Sequence, residues 1–284
     1  MSRQLKSKVL IKRKYGHLGD ILMTTPVIEA VKKKYGLPID YALPKEYEDA
    51  LYNNPNINEV IDISNINENT YMKIIDLSDY EFNYAITHQP IIEKNKIELF
   101  LECANMPSTS DKRIKIYLSD KEKAFGKDFI NRTCQAKKKT IAIAISTDSK
   151  TRNWYITRWK ILAKKLYAAG FNIIIVDKKI HWKDKNMVFF NNHTIRELFS
   201  LISSVDDVIT LDSGTLHIAA AFNKTTLAIF GPTDPEIICV FPNLTYIWKK
   251  LSCTPCWYDR CENKYCLNLI SVNDIYNKAI EVFK

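Results

Sequence analysis

Glycine is scarce in this chain, with seven in 284 residues beside ten prolines. That excludes a collagen-like repeat and a Gly/Pro-rich disordered tract. No run of 18 apolar residues occurs, so no segment reads as a membrane-spanning helix. The opening stretch, MSRQLKSKVLIKRKYG, passes from charge directly into a short apolar strand. It lacks the apolar core and small-residue cleavage site of a signal peptide, so the expectation is a cytoplasmic protein touching a membrane only peripherally. Zinc-finger, helix-turn-helix and RNA-recognition signatures are also missing. The formal net charge of +9 is scattered from Lys6 to Lys284 rather than gathered in one block. It is therefore read as a surface favouring a phosphorylated glycolipid, another anionic glycan or an anionic membrane face, without nucleic acid as partner.

What is present is ordinary globular composition, 46% apolar and 26% charged, long enough for two domains. Short apolar runs alternate with helical patterns in both halves. Val9-Leu10-Ile11 reads as a buried strand, Gly16 to Asp20 as a turn, and the stretch to Tyr35 as a helix. Pro26 suits its first turn with Thr25 as cap, and Asp20 suits the cap of an earlier start. Strands follow over 39–43, 59–63, 72–76 and 114–118, with helices over 92–105 and 120–133. A polar, basic stretch over 134–139 marks the boundary between a first domain of residues 1–137 and a second of 138–284. The second half restarts with strands at 140–145, 172–176, 208–211 and 225–230, helices at 159–169 and 196–203, and a closing helix at 272–283. Such alternation implies α/β architecture with parallel sheets. Two such sheets in sequence imply a ligand cleft between the domains, outside the carboxyl ends of their strands.

The segment richest in chemistry is VITLDSGTLHIAAAFNKTTLAIFGPTDP, from Val208 to Pro235. A strand ends in Asp212-Ser213-Gly214, a helix of small residues carries Thr215 and His217, and the next strand runs into Gly231-Pro232-Thr233-Asp234. A helix start after a strand offers backbone N–H groups and a positive dipole end, which suits a pyrophosphate. Near the N-terminus stands Gly19-Asp20-Ile21-Leu22-Met23-Thr24-Thr25-Pro26, and Arg152-Asn153-Trp154 opens the second half. Together these resemble the signature segments of glycosyltransferase family nine, the ADP-heptose heptosyltransferases of bacterial envelope biosynthesis, and they occur in that family's order.

The resemblance implies an α/β fold of the GT-B type, two Rossmann-like domains facing across a cleft, whose first domain receives the acceptor and whose second grips the nucleotide sugar. The implied activity is inverting transfer of heptose from ADP-heptose onto a lipopolysaccharide core, another envelope glycan or a protein, with peripheral contact at the inner membrane. A non-catalytic nucleotide-sugar-binding relative is the alternative. Asp20 matches the catalytic base, with Gly19 and Thr24 on the acceptor side. Arg152, Asp212, Ser213, Gly214, Thr215, His217, Thr233 and Asp234 match the donor-binding positions. Catalysis is expected to need no cofactor or divalent metal, because Arg152 and the helix start would neutralise the leaving diphosphate. One departure concerns the donor: Val176-Asp177-Lys178-Lys179 stands where the family often has a nucleoside-contacting Gly-x-x-x-Glu.

Of seven cysteines, Cys103 and Cys134 stand alone and read as buried small apolar residues. Cys253, Cys256, Cys261 and Cys266 fall within 14 residues. Four thiols opening with Cys-x-x-Cys suit a tetrahedral structural zinc or iron; free thiols or a local disulfide are the other readings.

Overall fold

The computed structural model describes residues 7–180, 182–238, 241–258 and 260–284. The chain forms two compact units, Met1–Tyr117 and Leu118–Lys284. In the first, β1 (Val9–Lys12), α1 (Leu18–Leu22), α2 (Thr25–Tyr35), β2 (Ile39–Leu43), β3 (Glu59–Asp62), β4 (Lys73–Asp76), α3 (Tyr80–His88) and α4 (Lys96–Cys103) follow in order. The four strands pair in parallel in the order β3-β2-β1-β4. Val9, Leu10 and Ile11 have no exposed surface, because a central parallel strand is covered on both faces and so reads as a continuous apolar run. Val27, Ile28 and Val31 bury one stripe of α2, and Gly36, at φ 65°, ends that helix in the left-handed conformation.

The stretch 114–118 is not a strand. The Lys115 N–H donates to Thr25 Oγ1 at 3.0 Å, and the Lys115 ammonium pairs with Glu29. Its hydrogen bonding is therefore directed to α2 side chains instead of a sheet edge.

The second unit contains α5 (Asp120–Thr133), β5 (Thr140–Ala144), α6 (Ile156–Ala168), β6 (Asn172–Val176), β7 (Val188–Phe190), α7 (Ile195–Ser204), β8 (Asp207–Leu211), α8 (Gly214–Ala221), β9 (Thr225–Phe230), α9 (Pro235–Ile238), β10 (Leu244–Trp248), α10 (Tyr265–Asn268) and α11 (Val272–Phe283). Its six strands are all parallel in the order β10-β9-β8-β5-β6-β7. The order reverses at β5, whose neighbours are β8 and β6. This is the doubly wound arrangement, in which ligands bind outside the carboxyl ends of the strands at the reversal. The core joins Ile141, Ile143, Ile209 and Leu227 of the sheet to Trp159, Leu162 and Leu166 of α6 and to Ile275, Ala279 and Phe283 of α11. Truncating an aromatic such as Trp159, fully buried here, costs about 3–5 kcal/mol.

The division falls a helix earlier than the expected 137/138 boundary, and the reason is α5. A Cβ placed on Gly126 would lie 2.1 Å from Ser200 O, so glycine lets α5 approach α7 this closely. Arg196 adds a two-pronged pair to Glu122, with Nε to Oε1 at 2.6 Å and Nη2 to Oε2 at 2.9 Å. The helix is thereby bound to the second unit.

Candidate functional site

In the first unit, β1 ends at Lys12 and the chain turns through Gly16 into α1. Gly16 sits at φ +128°, where side chains are strained, and a Cβ there would meet Arg13 Nε at 3.0 Å and Asp20 Cβ at 3.1 Å. Asp20 lies in the first turn of α1 with its side chain 13% exposed. Its Oδ2 accepts the His17 N–H at 2.8 Å, so Asp20 is not itself the cap residue of α1 but the third helical residue, reaching back to the cap residue His17. Its Oδ1 accepts from Lys96 Nζ at 2.5 Å, across 76 residues of sequence. Burial opposes the charge on Asp20. The Lys96 ammonium, the His17 N–H and the nearby Arg13 outweigh it and hold the carboxyl well below the usual carboxylate range.

Arg13 is itself buried. Its Nη1 donates to Leu77 O at 2.7 Å, both amino groups engage Glu81, and the guanidinium lies 4.8 Å from the Phe100 ring centroid. Removing Glu81 would strand a buried cation, a loss on the order of 3–5 kcal/mol. Of the residues expected on the acceptor side, Gly19 is buried within α1. Thr24 is wholly buried, its hydroxyl donating to Ile21 O at 2.7 Å and lying 2.9 Å from Tyr41 Oη. Thr24 thus supports the corner between α1 and α2.

In the second unit, Asp212 directly follows the end of β8, and its side chain is 6% exposed. Its Oδ2 accepts from Arg152 Nη1 at 3.1 Å and from Thr233 Oγ1 at 2.9 Å. Arg152 Nη1 also lies 3.3 Å from the Asp212 carbonyl oxygen. Three segments named separately from the sequence, the turn at Lys150–Arg152, the end of β8 and the loop after β9, therefore meet at the reversal point of the sheet. Ser213 is the extended residue before α8, its hydroxyl 3.1 Å from Thr210 Oγ1, and Gly214 opens the helix. Thr215 and His217 are buried on that helix. Asp234 accepts the Glu236 N–H at 2.9 Å, which turns it toward the start of α9.

The tail is fastened to the same loops. The Cys256 and Trp257 N–H groups donate to Pro232 O at 2.9 and 3.1 Å, and Thr151 Oγ1 donates to Tyr258 O at 3.0 Å. Arg158 Nη1 lies within 3.2 Å of the carbonyls of Leu267, Asn268 and Ile270. Cys253 and Cys261 are exposed, Cys256 half-buried and Cys266 buried in the core beside Leu267 and Ile270. Burial pushes the Cys266 thiol up, and the nearby thiols of Cys256, Cys253 and Cys261 add to it. Among the described residues no group of three or more His, Cys, Asp or Glu side chains is arranged to hold a metal ion.

An open parallel sheet with an arginine, hydroxyls and a helix start gathered at its reversal point has the architecture of a nucleotide-binding α/β protein. Residues 75–266 match glycosyltransferase family 9 (heptosyltransferase), most of the chain, and the chain belongs to that family. It is 31% identical over 111 residues to lipooligosaccharide heptosyltransferase 2 of Campylobacter jejuni subsp. jejuni serotype O:2, covering 38% of this chain and 34% of that protein. The match thus spans about a third of the length of that curated relative. Among solved structures, E. coli ADP-heptose lps heptosyltransferase II aligns with a TM-score of 0.75 at 15% identity, over 97% of this chain and 98% of that one. The iron-containing dodecameric glycosyltransferase TibC from enterotoxigenic E. coli H10407 aligns with a TM-score of 0.77 at 16% identity, over 98% of this chain and 76% of that one. These structural likenesses show the fold, α/β of the GT-B type with two Rossmann-like units.

Proposed function

We propose that the chain is an inverting, metal-independent glycosyltransferase that moves heptose from ADP-heptose onto an anionic envelope glycan or glycolipid, such as a lipopolysaccharide core. The observation that carries this reading is Asp20, a nearly buried carboxylate kept ionised at the carboxyl end of β1. Inverting transfer needs such a group. It takes the proton of the acceptor hydroxyl as that oxygen bonds to the anomeric carbon and the bond to the diphosphate breaks on the opposite face.

The departing ADP carries the electron pair of the broken bond. Arg152, held by Asp212 through Nη1, and the start of α8 at Ser213 and Gly214 offset that charge. Thr215, His217, Thr233 and Asp234 complete the donor side, with Gly19 and Thr24 supporting the acceptor side. No step is routed through the cysteine tail. A metal on four thiolates would have no open position for a substrate and would serve only to order the tail. The protein works in the cytoplasm, with contact to the inner membrane confined to its surface; no helix among the described residues is long and apolar enough to cross a membrane.

The test is to incubate the purified chain with ADP-heptose and a heptose-deficient lipopolysaccharide core, following ADP release and product mass. The anomeric configuration of the product is then read by NMR. Release of ADP with inversion, unchanged by EDTA, is expected. Binding of ADP-heptose without ADP release would favour a non-catalytic relative, and loss of transfer in EDTA with the fold intact would overturn the electrostatic role given to Arg152.

A further inference from the structure

The Lys96–Asp20 contact is not needed to build either helix. Asp20 already completes the first turn of α1 through the His17 N–H, and α4 is capped independently by Asn95, whose side chain accepts the Glu98 N–H at 2.9 Å. Lys96 nonetheless crosses from α4 to place its ammonium 2.5 Å from Oδ1, while remaining 37% exposed itself. The two carboxylate oxygens thereby have different tasks: Oδ2 is fixed to the backbone, and Oδ1 meets a cation that is partly open to solvent.

Among the described residues the His17 imidazole stands at the start of α1 beside Asp20, and the other charges nearby have partners of their own. Arg13 approaches from the end of β1, but its amino groups are bound to Glu81 and Leu77 O. Glu98, also on α4, pairs with Lys112. Tyr41 of β2 is hydrogen-bonded to Thr24, and burial pushes its hydroxyl up to about 12, so it stays neutral at working pH. Lys96 is thus the cation that meets Oδ1 directly and can leave without breaking the core.

We propose that Lys96 is a positioning residue for the acceptor-side base: it aims Oδ1 and balances its charge until an anionic group of the acceptor draws the ammonium away and the acceptor hydroxyl takes its place on Oδ1. This deepens the function proposed above and rests on Asp20 acting as the base. A carboxylate tied to a cation is a weak base, because the most effective one has a proton affinity near that of the working solution. Transfer of the ammonium to the acceptor's own phosphate or carboxylate raises the basicity of Asp20 when the hydroxyl is in reach. The lysine thereby links proton removal to recognition of an anionic acceptor.

The experiment compares kcat/KM for the acceptor across pH in the wild type, Lys96→Met and Lys96→Arg. In the wild type the acid limb from Asp20 lies below the usual carboxylate range. Without the ammonium, burial is less well offset and the carboxyl titrates higher, so Lys96→Met should move that limb up by at least one pH unit. The donor KM should stay within about twofold of the wild type. Lys96→Arg, which keeps the charge, should keep the limb. Direct NMR titration of the Asp20 carboxyl, assigned by its loss in Asp20→Asn, provides the same comparison without turnover.

An unmoved limb and an unmoved carboxyl titration in Lys96→Met would overturn the inference, even with Asp20→Asn inactive. Full activity of Asp20→Asn would instead remove the base assignment on which the inference stands. The two failures are therefore told apart.

Discussion

The two candidate sites use the same pair of charges in opposite ways. In the first unit the carboxylate is the proposed working group: Asp20 is fixed by the backbone and faced by a lysine that reaches in from a separate helix. In the second unit the cation is the proposed working group: Arg152 meets a buried carboxylate, Asp212, which is braced by Thr233 and follows the end of a central strand. In both pairs the carboxylate is the more buried member. Asp20, 13% exposed, meets Lys96 at 37%, and Asp212, 6% exposed, meets Arg152 at 29%. The difference lies in which member of the pair the chemistry uses, a base for the acceptor proton or a cation for the leaving diphosphate.

That contrast is broken most severely at Asp20. Asp20→Asn keeps the shape and the His17 hydrogen bond but cannot take a proton, so kcat should fall by roughly a hundredfold or more, as is typical for loss of a positioned base. Steady-state kinetics with saturating donor would read this; a variant with near-normal kcat would reduce Asp20 to a helix cap. At the other site, Arg152→Ala removes charge-assisted hydrogen bonds worth about 1.5–3 kcal/mol each. It should weaken donor binding roughly tenfold to a hundredfold and lower turnover as well. Unchanged donor KM and kcat would mean that Arg152 only stabilises Asp212.

The smallest effect is expected in the tail. Cys253 is exposed and Cys256 half-buried, and the 256–258 stretch meets the Pro232 and Thr151 loops through backbone atoms. Cys253→Ser with Cys256→Ser should therefore shift the melting temperature by no more than about 2 °C, in keeping with about 0.5 kcal/mol for surface changes. A drop beyond about 5 °C accompanied by loss of bound zinc or iron on elemental analysis would restore the metal reading.

Elements with strong local signals were legible in the sequence. The helices Asp120–Thr133 and Val272–Phe283 and the strands Ile39–Leu43, Asn172–Val176 and Thr225–Phe230 lie where periodicity and end signals put them. The strands sit in parallel sheets whose apolar runs are continuous. Three of the elements that went unread did so for different reasons. Val188–Phe190 has only three residues, too few for a period, and Leu244–Trp248 is a five-residue edge strand without a fully buried residue, so no apolar face marks it. Tyr80–His88 leaves Tyr80, Phe82 and Ile86 exposed, so its apolar residues do not mark an inward face. The opposite error, a strand over 114–118, arose because an alternating pattern carries no information about whether a sheet edge is within reach.

The same limit applies to the sites. Motifs named Asp20, Arg152, Asp212 and Thr233, because each stands in a recognisable local run. Their partners are set by tertiary structure: Lys96 is 76 residues from Asp20, and Arg152 is 60 from Asp212. The backbone attachment of the cysteine tail to Pro232 was equally invisible, since it uses N–H and C=O groups that every residue carries.

The claim that base and donor grip are separate functions of the two units is tested most directly by calorimetric titration of ADP-heptose into the wild type, Asp20→Asn and Arg152→Ala. The account predicts an affinity within about twofold of the wild type for Asp20→Asn and at least about tenfold weaker for Arg152→Ala, as expected when only a charge-assisted contact to the donor is lost. Loss of donor affinity in Asp20→Asn with full affinity in Arg152→Ala would contradict it.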